Sequence, residues 1–112
     1  MPKQLAKLDR VFLALADPTR RAVVVRLGRG PASVSELAQG HRMALPSFLQ
    51  HLGVLERAGL ARSRKRGRVR TYQLETKALR DAELWLEAQR AHWSKRLDQL
   101  DDYLIQMKGM KL

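Results

Sequence analysis

The sequence predicts a mainly α fold that carries one two-stranded β hairpin (α+β). Three observations predict it. Apolar residues recur at steps of three and four over most of the chain, the mark of helices with one buried face. A single segment, 60–74, breaks that period and is rich in strand formers such as Val69, Thr71 and Tyr72. From Lys77 to Met107 the chain has neither glycine nor proline, so its last element reads as one long helix, or two with a kink.

Leu5, Leu8, Phe12 and Leu15 place one apolar face on a helix over 5–16. Asp17-Pro18 ends that helix and starts the next. Asp is a good N-cap and Pro suits the first helical position, so a second helix runs from Pro18 to about Leu27. Gly28 and Gly30-Pro31 break it. Ser33-Val34-Ser35-Glu36 has the Ser-x-x-Glu form of a capping box, so a short helix follows to about Gln39 and stops at Gly40. The fourth helix has Pro46 in its first turn. Its buried stripe is Phe48, Leu49, Leu52 and Leu55, and it ends near Ala58-Gly59. Two short helices joined through Gly40–Ala44 make a helix-turn-helix candidate over 33–58.

Leu60–Arg64 and Arg68–Leu74 then read as two strands around a Lys65-Arg66-Gly67 turn. A lone hairpin is marginal in water, so this one must pack on the helices. In the last segment, 77–107, Leu79, Leu86, Trp93, Leu100 and Met107 recur every seven residues, flanked by Leu97 and Leu104. A helix of about 30 residues spans roughly 45 Å, longer than a chain of this size needs for its own core. Part of the stripe therefore faces a partner subunit. The expected interface is Leu5, Leu8 and Phe12 of the helix within 1–16 with Leu86, Trp93, Leu97, Leu100 and Leu104. No linker divides the chain, so 1–112 is expected to form one domain.

Charge points to the partner. Of 112 residues, 22 are Lys or Arg and 11 are Asp or Glu, a net charge of +11. A folded domain tolerates that self-repulsion most easily when its partner is a polyanion. The charge is also concentrated. Arg57, Arg62, Arg64, Lys65, Arg66, Arg68 and Arg70 fall between Glu56 and Glu75 with no acid among them. Along a strand, alternate residues share a face, so Arg62, Arg64 and Arg66 go together, as do Arg68 and Arg70. Such a hairpin suits DNA phosphates or a narrow minor groove. On the fourth helix Ser47, Gln50, His51 and Arg57 are the candidate contacts: Gln can pair with adenine, and Ser with a base or phosphate. His51 has an equal reading as a packing residue at the edge between helix and hairpin. Free N–H groups at the start of that helix, Ala44–Ser47, suit a phosphate.

Helix, helix, turn, helix and basic hairpin is the winged helix-turn-helix order. Four stretches resemble the arsenic-repressor-type (ArsR-type) transcription factors: Leu15–Arg21, Ser33–Ala38, His51–Leu60 and Gly67–Leu74. The resemblance implies a homodimer that binds an operator on double-stranded DNA, usually to repress it, through an interface made by the terminal helices. Three departures matter. Metal sensors of that family often carry Cys-x-Cys where this chain has Ser33 and Ser35. His92 lacks a ligand set around it, with Lys95 one turn on. Ala44 and Leu49 stand where polar residues are usual.

With no cysteine, disulfides, thiolate metal sites and a Cys nucleophile are excluded. No metal, cofactor or catalytic residues are expected, because no nucleophile–base pair or paired-carboxylate motif is recognisable. The N-terminal stretch lacks an apolar signal core and no run is long enough to span a membrane, so a cytoplasmic location is expected. Any small-molecule effector is expected near Trp85 and Trp93, although both read first as packing residues. Two other classes compete with a sequence-specific regulator: an architectural protein indifferent to DNA sequence, which the charge favours, and a protein-interaction module docking through the last helix.

Overall fold

Each of the first junctions forms as its capping residues dictate. The computed structural model describes residues 3–110, with side chains for 6–109. Helix α1 (Lys3–Leu15) gives way to α2 (Pro18–Leu27) at Asp17, whose carboxylate accepts the backbone N–H of Arg20 at 3.0 Å. After a two-residue strand, β1 (Ala32–Ser33), helix α3 (Val34–Ala38) opens on a complete capping box. Ser33 Oγ accepts from the Glu36 N–H at 3.2 Å, and Glu36 Oε1 accepts from the Ser33 N–H at 3.1 Å.

Helix α4 (Leu45–Arg57) ends in a Schellman motif. Gly59 takes φ +76°, its N–H donates to the Glu56 carbonyl, and the Leu60 N–H donates to the Leu55 carbonyl. Leu55 and Leu60, which flank the motif, are both fully buried. This turn leads directly into β2 (Ala61–Arg66), which pairs antiparallel with β3 (Val69–Leu74). The hairpin turns on Gly67-Arg68, so β2 ends two residues later and β3 starts one residue later than the sequence suggests. Gly67 has φ +59°, and a glycine first in a two-residue loop is what a type II′ turn requires.

The sheet has a third strand that the sequence reading lacks. Strand β1 pairs with β3, giving the order β1-β3-β2. The last helix, α5, runs over Thr76–Met110 without interruption.

Contacts divide the chain into two compact units, 1–82 and 83–112. The first holds the core. Val11, Ala14, Val23, Leu27 and Leu37 from the first three helices meet Phe48, Leu52 and Leu55 of α4, with Leu60, Ala61 and Tyr72 closing it from the hairpin. Ala78, Leu79 and Ala82, in the first turns of α5, pack on the same core. In the second unit every described side chain is exposed. Among them are Leu86, Trp93, Leu97, Leu100, Leu104 and Met107. Among the described residues no helix is long and apolar enough to cross a membrane.

Candidate nucleic-acid interface

One side of α4 is consumed by the core, and this decides what its other side can offer. Phe48, Leu52 and Leu55 are at most 1% exposed, so the residues about half a turn away must face solvent. Ser47, Gln50 and Arg57 do so. At its start α4 has Ala44 as N-cap, and no side chain bonds to its free N–H groups.

His51 is placed differently. It is half-buried, and Nη1 of Arg20 donates to its Nδ1 at 3.1 Å. Asp17 Oδ2 lies 3.8 Å from the same nitrogen. Arg20 also donates to the Ala14 carbonyl at 2.7 Å and the Leu13 carbonyl at 2.9 Å. One guanidinium thus ties the end of α1 and the start of α2 to the middle of α4. The Asp17 carboxyl is held below its ordinary range, first by the Arg20 backbone N–H. Burial opposes that shift, and the charge of Arg20 adds to it. Sequence reading missed Arg20, since nothing local signals a contact across 31 positions.

The strand register sorts the arginines. Directly paired residues share a face of the sheet. Arg62 pairs with Gln73, Arg64 with Thr71 and Arg66 with Val69, so these three arginines share the outer face. Together with Pro31, Ser63, Thr71 and Gln73 they line a cavity of about 360 Å³. Arg62 is partly neutralised there, its Nε 2.8 Å from Glu75 Oε1. Arg64 and Arg66 are exposed. Arg68 occupies the turn.

Arg70 pairs with Lys65, and so lies on the opposite face, with Ser63 and Tyr72. Its Nη1 donates to Ser63 Oγ at 2.8 Å, and Ser63 Oγ donates to Glu56 Oε2 at 3.1 Å. The Tyr72 hydroxyl is pushed above its ordinary pKa by burial first, and then by its hydrogen bond to Glu56 and the charge of that carboxylate. Glu56, Ser63, Tyr72 and Arg70 therefore lock the hairpin to α4. The sequence shows Arg70 as one more cation; only the register shows that it braces.

The expected interface residues divide as well. Leu8 is half-buried against the core of the first unit, Phe12 is 37% exposed, and the side chain of Leu5 lies outside the described residues. Leu86, Trp93, Leu97, Leu100 and Leu104 are exposed on the second unit. Among the described residues, no three His, Asp or Glu side chains gather where they could hold a metal ion.

A helix pair whose second member offers polar side chains, followed at once by a braced cationic hairpin, defines a winged helix-turn-helix DNA-binding regulator. A helix-turn-helix domain model matches residues 15–64. The HTH-type transcriptional regulator Rv2034 of Mycobacterium tuberculosis is 48% identical over 71 residues, covering 63% of this chain and 66% of that protein. The transcriptional repressor SdpR of Bacillus subtilis is 30% identical over 79 residues, covering 70% of this chain and 88% of that protein. A crystal structure of an ArsR family transcriptional regulator superposes with a TM-score of 0.76 at 52% identity, over 79% of this chain and 97% of that one. The chain belongs to the ArsR family of transcriptional regulators.

Proposed function

We propose that the protein is a homodimeric, sequence-specific transcriptional repressor. The observation that carries this reading is the pairing of two surfaces in the first unit. Ser47 and Gln50 stand exposed on α4, and Arg64, Arg66 and Arg68 stand exposed on the adjoining hairpin. In this reading α4 enters the major groove, where Gln50 and Ser47 meet base edges and Arg57 meets the backbone. The hairpin arginines neutralise phosphates or enter the minor groove. Arg62 and Arg70 act mainly through their protein partners, and His51 sets the seating of α4 against α2. The free N–H groups after Ala44 take a phosphate oxygen.

The homodimer accounts for the apolar residues of the second unit. A helix carrying Leu86, Trp93, Leu97, Leu100, Leu104 and Met107 in water is stabilised when a second copy covers that stripe. Repression is the part that the named repressor among the relatives supports.

Selection of bound duplexes from a random pool tests the reading. The expected product is a palindrome with half-sites about one helical turn, roughly 34–36 Å, apart. Affinity for that palindrome equal to affinity for random DNA would instead establish an architectural protein, the reading that a net charge of +11 favours.

A further inference from the structure

Two leucines of α4 beside its buried stripe stay exposed. Leu45 is 54% exposed and Leu49 is 41% exposed, at one edge of the stripe that supplies three fully buried apolar residues. They lie one turn apart, so they form one short apolar strip. Leu49 is the better placed of the two. It adjoins Gln50, about 100° away around the helix axis. One turn beyond it is Gly53, which has no side chain. The guanidinium of Arg57 lies over that gap, its Nη1 3.1 Å from where a Gly53 Cβ would stand. Leu49 therefore has an exposed amide beside it and a cation beyond the C-terminal end of the strip.

This border selects the occupant. A surface bordered by Gln50 and Arg57, on a chain of net charge +11, complements a polyanion, and in duplex DNA a single apolar group projects from base edges into the major groove, the C5-methyl of thymine. We propose that Leu49 determines specificity by enclosing a thymine methyl group, next to the adenine that Gln50 would read. The inference rests on the reading of the chain as a sequence-specific DNA binder. It makes the residue that departs most from a polar recognition surface the one that reads a base.

The test uses the full-length protein and a selected palindrome. Each thymine in one half-site is replaced in turn by uracil, which removes the methyl group and keeps the base pair. At one position the wild-type protein is expected to lose about fourfold in affinity, the effect of one methyl group taken out of apolar contact. The Leu49→Ala variant, whose fold is checked by thermal unfolding, is expected to bind the thymine and uracil duplexes equally at that position. Wild-type binding unchanged by uracil at every position overturns the assignment while leaving the DNA-binding reading intact. So does a Leu49→Ala variant that keeps the full thymine preference. Failure to select any sequence overturns the DNA-specific reading, and the assignment with it. The uracil series on the wild-type protein needs no variant to fold.

Discussion

Ser63 Oγ donates to Glu56 Oε2 across 3.1 Å, so the hairpin is fastened to the helix it follows. The same carboxylate holds the hydroxyl of Tyr72, a residue only 4% exposed. Glu56→Ala leaves that hydroxyl short of its acceptor and is expected to cost about 1–2 kcal/mol in urea unfolding. Glu56→Gln keeps an acceptor and is expected to cost less. Because the folded-state pKa of Tyr72 is raised, its contribution is complete below the ordinary tyrosine value of about 10 and is lost as pH climbs through the raised one. Tyr72→Phe should flatten that alkaline decline. An unchanged decline in the variant would contradict it.

Asp17 works at the other end of the pH scale. Its carboxyl titrates below the ordinary carboxylate range, so its stabilisation is present above about pH 4 and is lost as pH falls through the lowered value. Asp17→Ala removes the N-cap of α2 and is expected to cost about 1 kcal/mol at neutral pH. Asp17→Asn keeps a capping oxygen without the charge. It should match the wild type near pH 7 and show a shallower loss in acid, as followed by circular dichroism.

The hairpin arginines should differ in the salt dependence of DNA binding. Arg64 and Arg66 share the exposed outer face, whereas Arg70 bonds to Ser63 on the other. The Arg64→Ala/Arg66→Ala double variant is expected to reduce the slope of log affinity against log salt by about 2 per protomer. Arg70→Ala should leave the slope nearly unchanged and lower stability instead. Equal slopes for the two variants would show that the register does not decide which arginines meet phosphate.

Self-association should depend on the second unit. Leu97 and Leu100 are more than half exposed, so Leu97→Asp/Leu100→Asp leaves the core of the first unit untouched. Sedimentation at micromolar concentration is expected to show a dimer for the wild type and a monomer for the variant, with much weaker binding to a palindrome. A wild-type monomer would remove the homodimer from the proposal.

Short-range chemistry made much of the fold legible. Asp17-Pro18, the Ser33–Glu36 box and Gly59 each specify a local hydrogen-bond pattern, and each forms it. The 3.6-residue period likewise identified Phe48, Leu52 and Leu55 as core. It could not show that Leu49, counted with that stripe, turns outward, because a residue at the edge of a stripe is assigned by what packs beside it. Strand β1 was invisible because two residues carry no alternation. The hairpin register depended on where the turn falls. A turn at Lys65-Arg66-Gly67 would set Arg64 opposite Arg68, and Arg70 would join the outer face. The turn at Gly67-Arg68 pairs Arg66 with Val69 and reverses that. The bond from Arg20 to His51 joins residues 31 positions apart, beyond any local pattern.

Ala44 starts α4 without a side-chain oxygen to offer its first N–H groups. Serine or aspartate there would stabilise the folded chain by about 1 kcal/mol. It would also occupy, from within, the donors that a phosphate oxygen would otherwise take. On the proposed reading, robustness and grip compete for the same few atoms, and an alanine at this position leaves them to a phosphate. Selection for heat resistance alone would be expected to replace this residue early, and to trade away affinity in doing so.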